Sequence, residues 1–113
     1  MSDIVISIAK DFTDTPGGRT IAEGNFSGEL FRQKVLYPKF LEAKKENVKL
    51  IVDLDGCMGY PSSFLDESFG GLVKLVGYDE VMERLILISE DQPRLVENIK
   101  KYIKNNKDES SCK

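Results

Sequence analysis

Histidine is absent from the 113 residues. That excludes Ser-His-Asp and Cys-His catalytic pairs and any His-based zinc site. Cysteine is almost absent as well. Cys57 and Cys112 lie far apart and form no Cys-x-x-Cys pair, so in a cytosolic chain they read as two reduced thiols. Cys112 falls in a polar tail, and Cys57 falls in the central loop, where a redox role has no other residue to support it. No apolar run approaches the roughly 20 residues that cross a bilayer. The start, MSDIVISIAK, lacks the basic region, longer apolar core and cleavage site of a secretory signal, so the expected location is cytoplasmic, with no membrane partner. The net charge is -3, with both signs interspersed, which argues against nucleic acid as the partner. For metals only a carboxylate magnesium site remains. A lone Asp53-x-Asp55 pair is too little to assign one, so neither metal nor cofactor is expected.

What the chain does have is an alternation of short apolar runs and amphipathic segments. Its length suits one domain, expected over residues 1–104, with a polar tail at 105–113. Ile4 to Ala9 reads as a strand. Residues 10–26, punctuated by Thr15-Pro16-Gly17-Gly18, are either a mobile loop beside the site or a plain connection. Ser27 is a credible N-cap for the helix GELFRQKVLYPKFLEAKKEN. Within it Pro38 predicts a kink, or a restart with the proline in the first turn of a second segment. Val48 to Leu54 is a strand whose continuous Leu50-Ile51-Val52 run predicts cover on both faces. Tyr78 to Glu83 reads as a connector or short helical turn, and Arg84 to Ser89 as another strand. Asp91 is then expected to cap a helix from about 92 to 104, with Pro93 in its first turn. The order implies a largely parallel sheet.

The candidate chemistry gathers in Leu50 to Lys74. Asp53 and Asp55 share a strand face at the carboxyl end, where open α/β sheets bind ligands; the alternative is that they hydrogen-bond loop amides. Ser63 with Asp66 fits a capping pattern. That leaves Ser62 outside the cap, either as a solvated loop hydroxyl or as a phosphate acceptor beside a helix N-terminus. Gly70-Gly71 inside a helix disfavours it by about 1 kcal/mol per glycine relative to alanine. The pair predicts close approach of another backbone, a bend, or a smooth docking patch shared with Phe64 and Ser68. A small-ligand or catalytic site would combine Arg19, Glu29, Arg32, Asp55, Tyr60 and Ser62, with the arginines for phosphate or carboxylate. Against it, Glu29 and Arg32 could simply pair at i,i+3.

The run VDLDGCMGYPSSFLDESFGGLVK resembles the STAS-like domain family, a bacterial group of unknown function. The upstream PGGR and SGELFRQKVLYPKFLEA fit the same pattern. The resemblance covers roughly Ile6 to Gly77 and implies an α/β fold, a small largely parallel or mixed sheet with helices packed mainly on one face. It also implies a distant relation to anti-sigma-factor antagonists, whose matching helix opens on a hydroxyl phosphorylated by a kinase that is the anti-sigma factor. Ser62 matches that phosphoacceptor position; Pro61 stands where the antagonists have aspartate, and Phe64 where they often have glycine. The resemblance therefore implies a non-enzymatic regulatory module. It would dock on a histidine-kinase-like ATPase through Tyr60, Pro61, Ser62, Ser63, Phe64, Glu67, Gly70 and Gly71.

Overall fold

The computed structural model describes residues 3–17, 22, 27–57 and 59–106. Strand β1 (Ile4–Ser7) stops earlier than expected, because Ser7 caps a helical turn, α1 (Ile8–Asp11). The Ser7 hydroxyl accepts from the Lys10 amide, and the Asp11 carboxylate accepts from the Ser7 amide at 2.8 Å. Ser27 caps α2 as expected, accepting from the Leu30 amide at 3.1 Å. Helix α2 runs from Gly28–Phe31 through a π-helical turn, Arg32–Leu36, into Tyr37–Glu46. Pro38 falls in the first turn of the last segment. Its ring has no N–H to donate and crowds the turn before it, and the widened π turn accommodates both defects. Asn47, at φ 57°, ends α2 in the left-handed region that asparagine tolerates.

Strand β2 (Leu50–Asp53) is the centre of a three-stranded parallel sheet in the order β1-β2-β3, with β3 at Leu85–Ile88. Ile4, Leu50 and Leu85 lie in register, as do Ile6, Val52 and Leu87. Those two rows point into the core, where Ile6, Leu50 and Val52 are buried. The other face corrects the expectation of cover on both sides. Val5 is 60% exposed and Ile86 and Ile88 are each 40% exposed, because the described helices bury one face only. The fold is thus α/β, of the one-sided kind that the resemblance implied.

Helix α3 comprises Ser62–Leu65, a second π turn at Asp66–Gly70, and Gly71–Val76; α4 is Tyr78–Arg84 and α5 is Pro93–Asn105. Capping differs from the expectation at both later helices. Pro61, in extended conformation, is the residue before the first turn of α3, and its carbonyl accepts from the Phe64 and Leu65 amides. The chain therefore enters the helix two residues early, and Ser63 forms no cap. At α5, Gln92 takes the cap position without a side-chain bond. The Ser89 hydroxyl accepts from the Gln92 amide instead, at 3.1 Å.

The core is one cluster with Phe31 at its hub. Its ring lies 5.3 Å from Phe12, 5.8 Å from Phe64 and 6.3 Å from Phe69. Phe64 and Ser68 are fully buried, so neither belongs to an exposed patch. Helix α2 crosses α3 where Gly28 meets the Phe64 carbonyl, and a Cβ there would collide with backbone. The Ser68 hydroxyl donates to the Gly28 carbonyl at 3.2 Å and pins the crossing. Gly71 instead makes room for the Arg32 side chain, and Gly70 for Asn106. The close approach read from the glycine pair is real, but side chains make it.

Two substitutions separate these cases. Gly28→Ala is expected to lower unfolding free energy by about 1–3 kcal/mol, the usual range for overpacking against an atom that cannot move. In Gly71→Ala the obstacle is a side chain, Arg32, which can give way by loosening its bonds to Glu67 while the helix gains alanine propensity, so the loss is expected to be smaller than in Gly28→Ala. Urea denaturation of both variants checks the contrast.

Candidate functional site

The site is built where β2 ends and α3 begins. The Asp53 carboxylate accepts from the Asp55 amide at 3.0 Å and shapes the turn. Asp55 reaches across to the loop after β3. It accepts from the Ser89 hydroxyl at 2.9 Å, the Glu90 amide at 2.8 Å and the Asp91 amide at 3.2 Å. The Glu90 amide above all holds the Asp55 carboxyl below its ordinary value of 3.8. Desolvation opposes this, and the Asp91 amide and Ser89 hydroxyl add to it. Both aspartates thus serve as loop anchors. Among the described residues no group of three or more His, Cys, Asp or Glu could hold a metal ion.

Tyr60 turns inward from the following loop. Its hydroxyl donates to the Leu54 carbonyl at 2.7 Å and lies 3.0 Å from the Cys57 sulfur. The Cys57 thiol reaches the Thr13 carbonyl at 3.3 Å, tying this loop to the one after α1. Burial raises the pKa of both groups, so Cys57 is a neutral thiol near neutral pH and a poor nucleophile. The Tyr60 ring packs 6.1 Å from Phe64, so it anchors the loop from within.

Pro61 and Ser62 are exposed and Ser63 is half-buried at the N-terminal end of α3, before Phe64 and Leu65 enter the core. Further along α3, the Arg32 guanidinium lies across Gly71. It donates to both the carbonyl and the carboxylate of Glu67 at 2.7 Å. A shallow depression of about 220 Å³ is lined there by Arg32, Asp66, Glu67, Gly71, Lys74 and Leu75, and Leu75 is 53% exposed.

Of the eight residues expected in the docking edge, the structure leaves Pro61, Ser62, Ser63, Glu67 and Gly71 at least partly open, together with the rim of Tyr60. Phe64 and Gly70 are buried and drop out. Gly70 is closed by Asn106, whose amide donates to the Asp66 carboxylate at 3.2 Å and to the Tyr102 carbonyl at 2.8 Å. Three described members of the expected small-ligand set are engaged elsewhere. Arg32 is held at Glu67, Asp55 by the loop after β3, and Tyr60 by Leu54, while Ser62 faces solvent. Glu29 lies 3.4 Å from the Gln33 amide one turn on, and Arg32 turns to Glu67 rather than to Glu29. Arg19 lies outside the described residues. Ser89 and Asn106 were missed from sequence. Each has a local capping bond but also acts on a partner more than thirty positions away, which local spacing does not reveal.

A family model described as a STAS-like domain of unknown function (DUF4325) matches residues 27–95. The match runs from the Ser27 cap to the first turn of α5 and includes the whole junction. No curated protein and no solved structure matches the chain. Among the described residues no helix is long and apolar enough to cross a membrane.

Two measurements test the anchors. Because the folded-state pKa of Asp55 is depressed, its stabilising contribution is present above 3.8 and is lost as pH falls through the lower folded value. Asp55→Asn is therefore expected to flatten the decline in stability on acidification, read by denaturation at neutral pH and below pH ~4. Tyr60→Phe leaves the Leu54 carbonyl without its donor and is expected to destabilise by about 1–3 kcal/mol in the same assay.

Proposed function

The chain belongs to the STAS-like family, and on that premise we propose that it is a non-enzymatic regulatory module that docks on another protein through the open edge of α3. The observation that carries this reading is a division of labour at the junction. The groups with acid–base or nucleophilic chemistry (Asp53, Asp55, Cys57, Tyr60) are bound to the loops. The side chains that point outward, Pro61 and Ser62, lead onto a helix surface that ends in an exposed Leu75. Such a surface suits recognition, with an apolar contact at one end and a hydroxyl at a helix N-terminus at the other.

The partner is a histidine-kinase-like ATPase of the anti-sigma type, and a cytoplasmic location goes with it. Phosphate on Ser62 would add roughly two negative charges at the positive end of the α3 dipole. The helix tolerates that charge, so the modified protein stays folded while its docking edge becomes more negative. Ser62 is thus the switch, and Ser63, Glu67 and Gly71 belong to the contact surface.

The test measures association of the protein with such an ATPase. Ser62→Ala is expected to bind like the parent, and Ser62→Glu about tenfold or more weaker. Equal affinities for the two variants would remove the switch, and absence of binding to the ATPase would remove the docking.

A further inference from the structure

A second surface lies away from the α3 edge, on the open face of the sheet. Register places Val5, Ile51 and Ile86 in one row across all three strands, and Ser7, Asp53 and Ile88 in the next. Val5, Ile86 and Ile88 are exposed and Ile51 is half-buried. Ile86 also lines a groove of about 220 Å³ at the β3 edge, which Lys100 and Ile103 border from α5. Isolated apolar side chains on a surface need no explanation. A row of three β-branched side chains across an all-parallel sheet does, because such sheets occur almost only with both faces covered.

We propose that this open face docks one amphipathic α-helix of a partner protein, apolar on one side and basic at the end that lies over the carboxyl ends of the strands. The size of the face selects a helix. Three strands of four residues, about 4.8 Å apart, make a face roughly 10 Å by 13 Å. That seats one helix, about 10 Å across, in the place where a second helical layer covers ordinary α/β sheets. A second copy stacked through this face alone falls far short of the about 800 Å² per partner that a stable dimer removes. Nor do the described helices supply the occupant from a copy. The large apolar side chains exposed on α2, α3 and α4 are single ones, Leu41, Leu75 and Met82, and α5 keeps Ile99 and Ile103 in the core. Charge selects the sign. At the carboxyl end Asp53 stands on the face itself, and Asp11 accepts from the Ser7 amide at 2.8 Å. Glu90 and Asp91 follow β3 there, exposed, with their amides on Asp55. None of these four carboxylates is in an ion pair among the described residues, and exposed Lys10 on α1 offsets one of them. At the other end Asp3 accepts from the Lys49 amide at 3.0 Å, and acid and base balance. A helix with lysines or arginines over the carboxyl end therefore complements both the apolar row and its border.

Titration of the full chain with a synthetic leucine–lysine peptide tests this, followed by methyl NMR. The peptide has about 14 residues, with its leucines at helical spacing. The expected result is a set of shifts concentrated at Val5, Ile51, Ile86 and Ile88. A leucine–glutamate counterpart is expected to bind about tenfold or more weaker. Ile86→Lys is expected to weaken the lysine peptide to a similar degree, with circular dichroism unchanged. Should that variant fail to fold, the border decides. Glu90→Lys combined with Asp91→Lys weakens the lysine peptide and strengthens the glutamate peptide, an exchange that loss of folding would not give. Ser62→Glu leaves the affinity for the peptide unchanged, so this contact is read separately from docking at α3. Absence of binding, equal affinity for the two peptides, or shifts confined to α3 would each overturn the proposal. So would contacts from residues 18–21 or 23–26 to these methyls in the free protein, or a dimer that Ile86→Lys dissociates.

Discussion

Where Gly28 meets the Phe64 carbonyl, α2 and α3 approach as closely as two helices can with no Cβ between them. The rest of the molecule depends on that crossing. It brings Phe31 within stacking distance of Phe64 and Phe69 and so creates the aromatic hub of the core. It also lets Ser68, with no water to turn to, bond the Gly28 carbonyl, which removes the penalty of burying a hydroxyl. One turn further along, the same crossing lays Arg32 over Gly71 and into contact with Glu67. An ion pair that is only partly exposed, with a second bond to the Glu67 carbonyl, holds its geometry better than a surface pair does. The π turns in α2 and α3 lie within this contact. An inserted residue in each helix fits the two surfaces together where regular helices would not.

With α3 fixed from its middle, its N-terminal end needs only local bonds to be set in place. Asp53 shapes the turn after β2, Asp55 joins that turn to the loop after β3, and Tyr60 fastens the last part of the loop to the Leu54 carbonyl. Neutral bonds of this kind, such as that of Tyr60, are worth about 1 kcal/mol net each. Together they make a rigid frame from which Pro61 and Ser62 project. Rigidity matters to a docking surface because a preorganised edge loses little conformational entropy on binding.

Much of this was legible in the sequence, and the exceptions have identifiable causes. Alternating strands and helices pointed to the parallel sheet. Pro38 announced the interruption in α2, and a loop-anchoring role for Asp55 was one of its two readings. Ser63-x-x-Asp66 misled because a capping pattern is local while the forces on it are not. The Pro61 carbonyl starts the helix two residues early, and Asp66 is engaged by Asn106 from forty positions away. Phe64 was placed on the wrong face for a related reason. A π turn shifts the helical phase, so faces assigned at 3.6 residues per turn drift across it. The apolar run Leu50-Ile51-Val52 signals that two faces prefer to leave water. It carries no information on whether the second is covered by the same chain.

Helix α5 is the element that the two surfaces share. Its C-terminal cap, Asn106, closes over Gly70 and bonds Asp66 on α3, and Lys100 and Ile103, on the same helix, border the groove at β3. A displacement of α5 would therefore be felt at the π turn of α3 and at the free edge of β3 together. Coupling between distant sites needs an element that both sites bias, and contact through a packed helix is a physical route for it. The open residues at the start of α3 and those that line the groove at β3 are nonetheless distinct, so each surface can be altered without direct loss of the other.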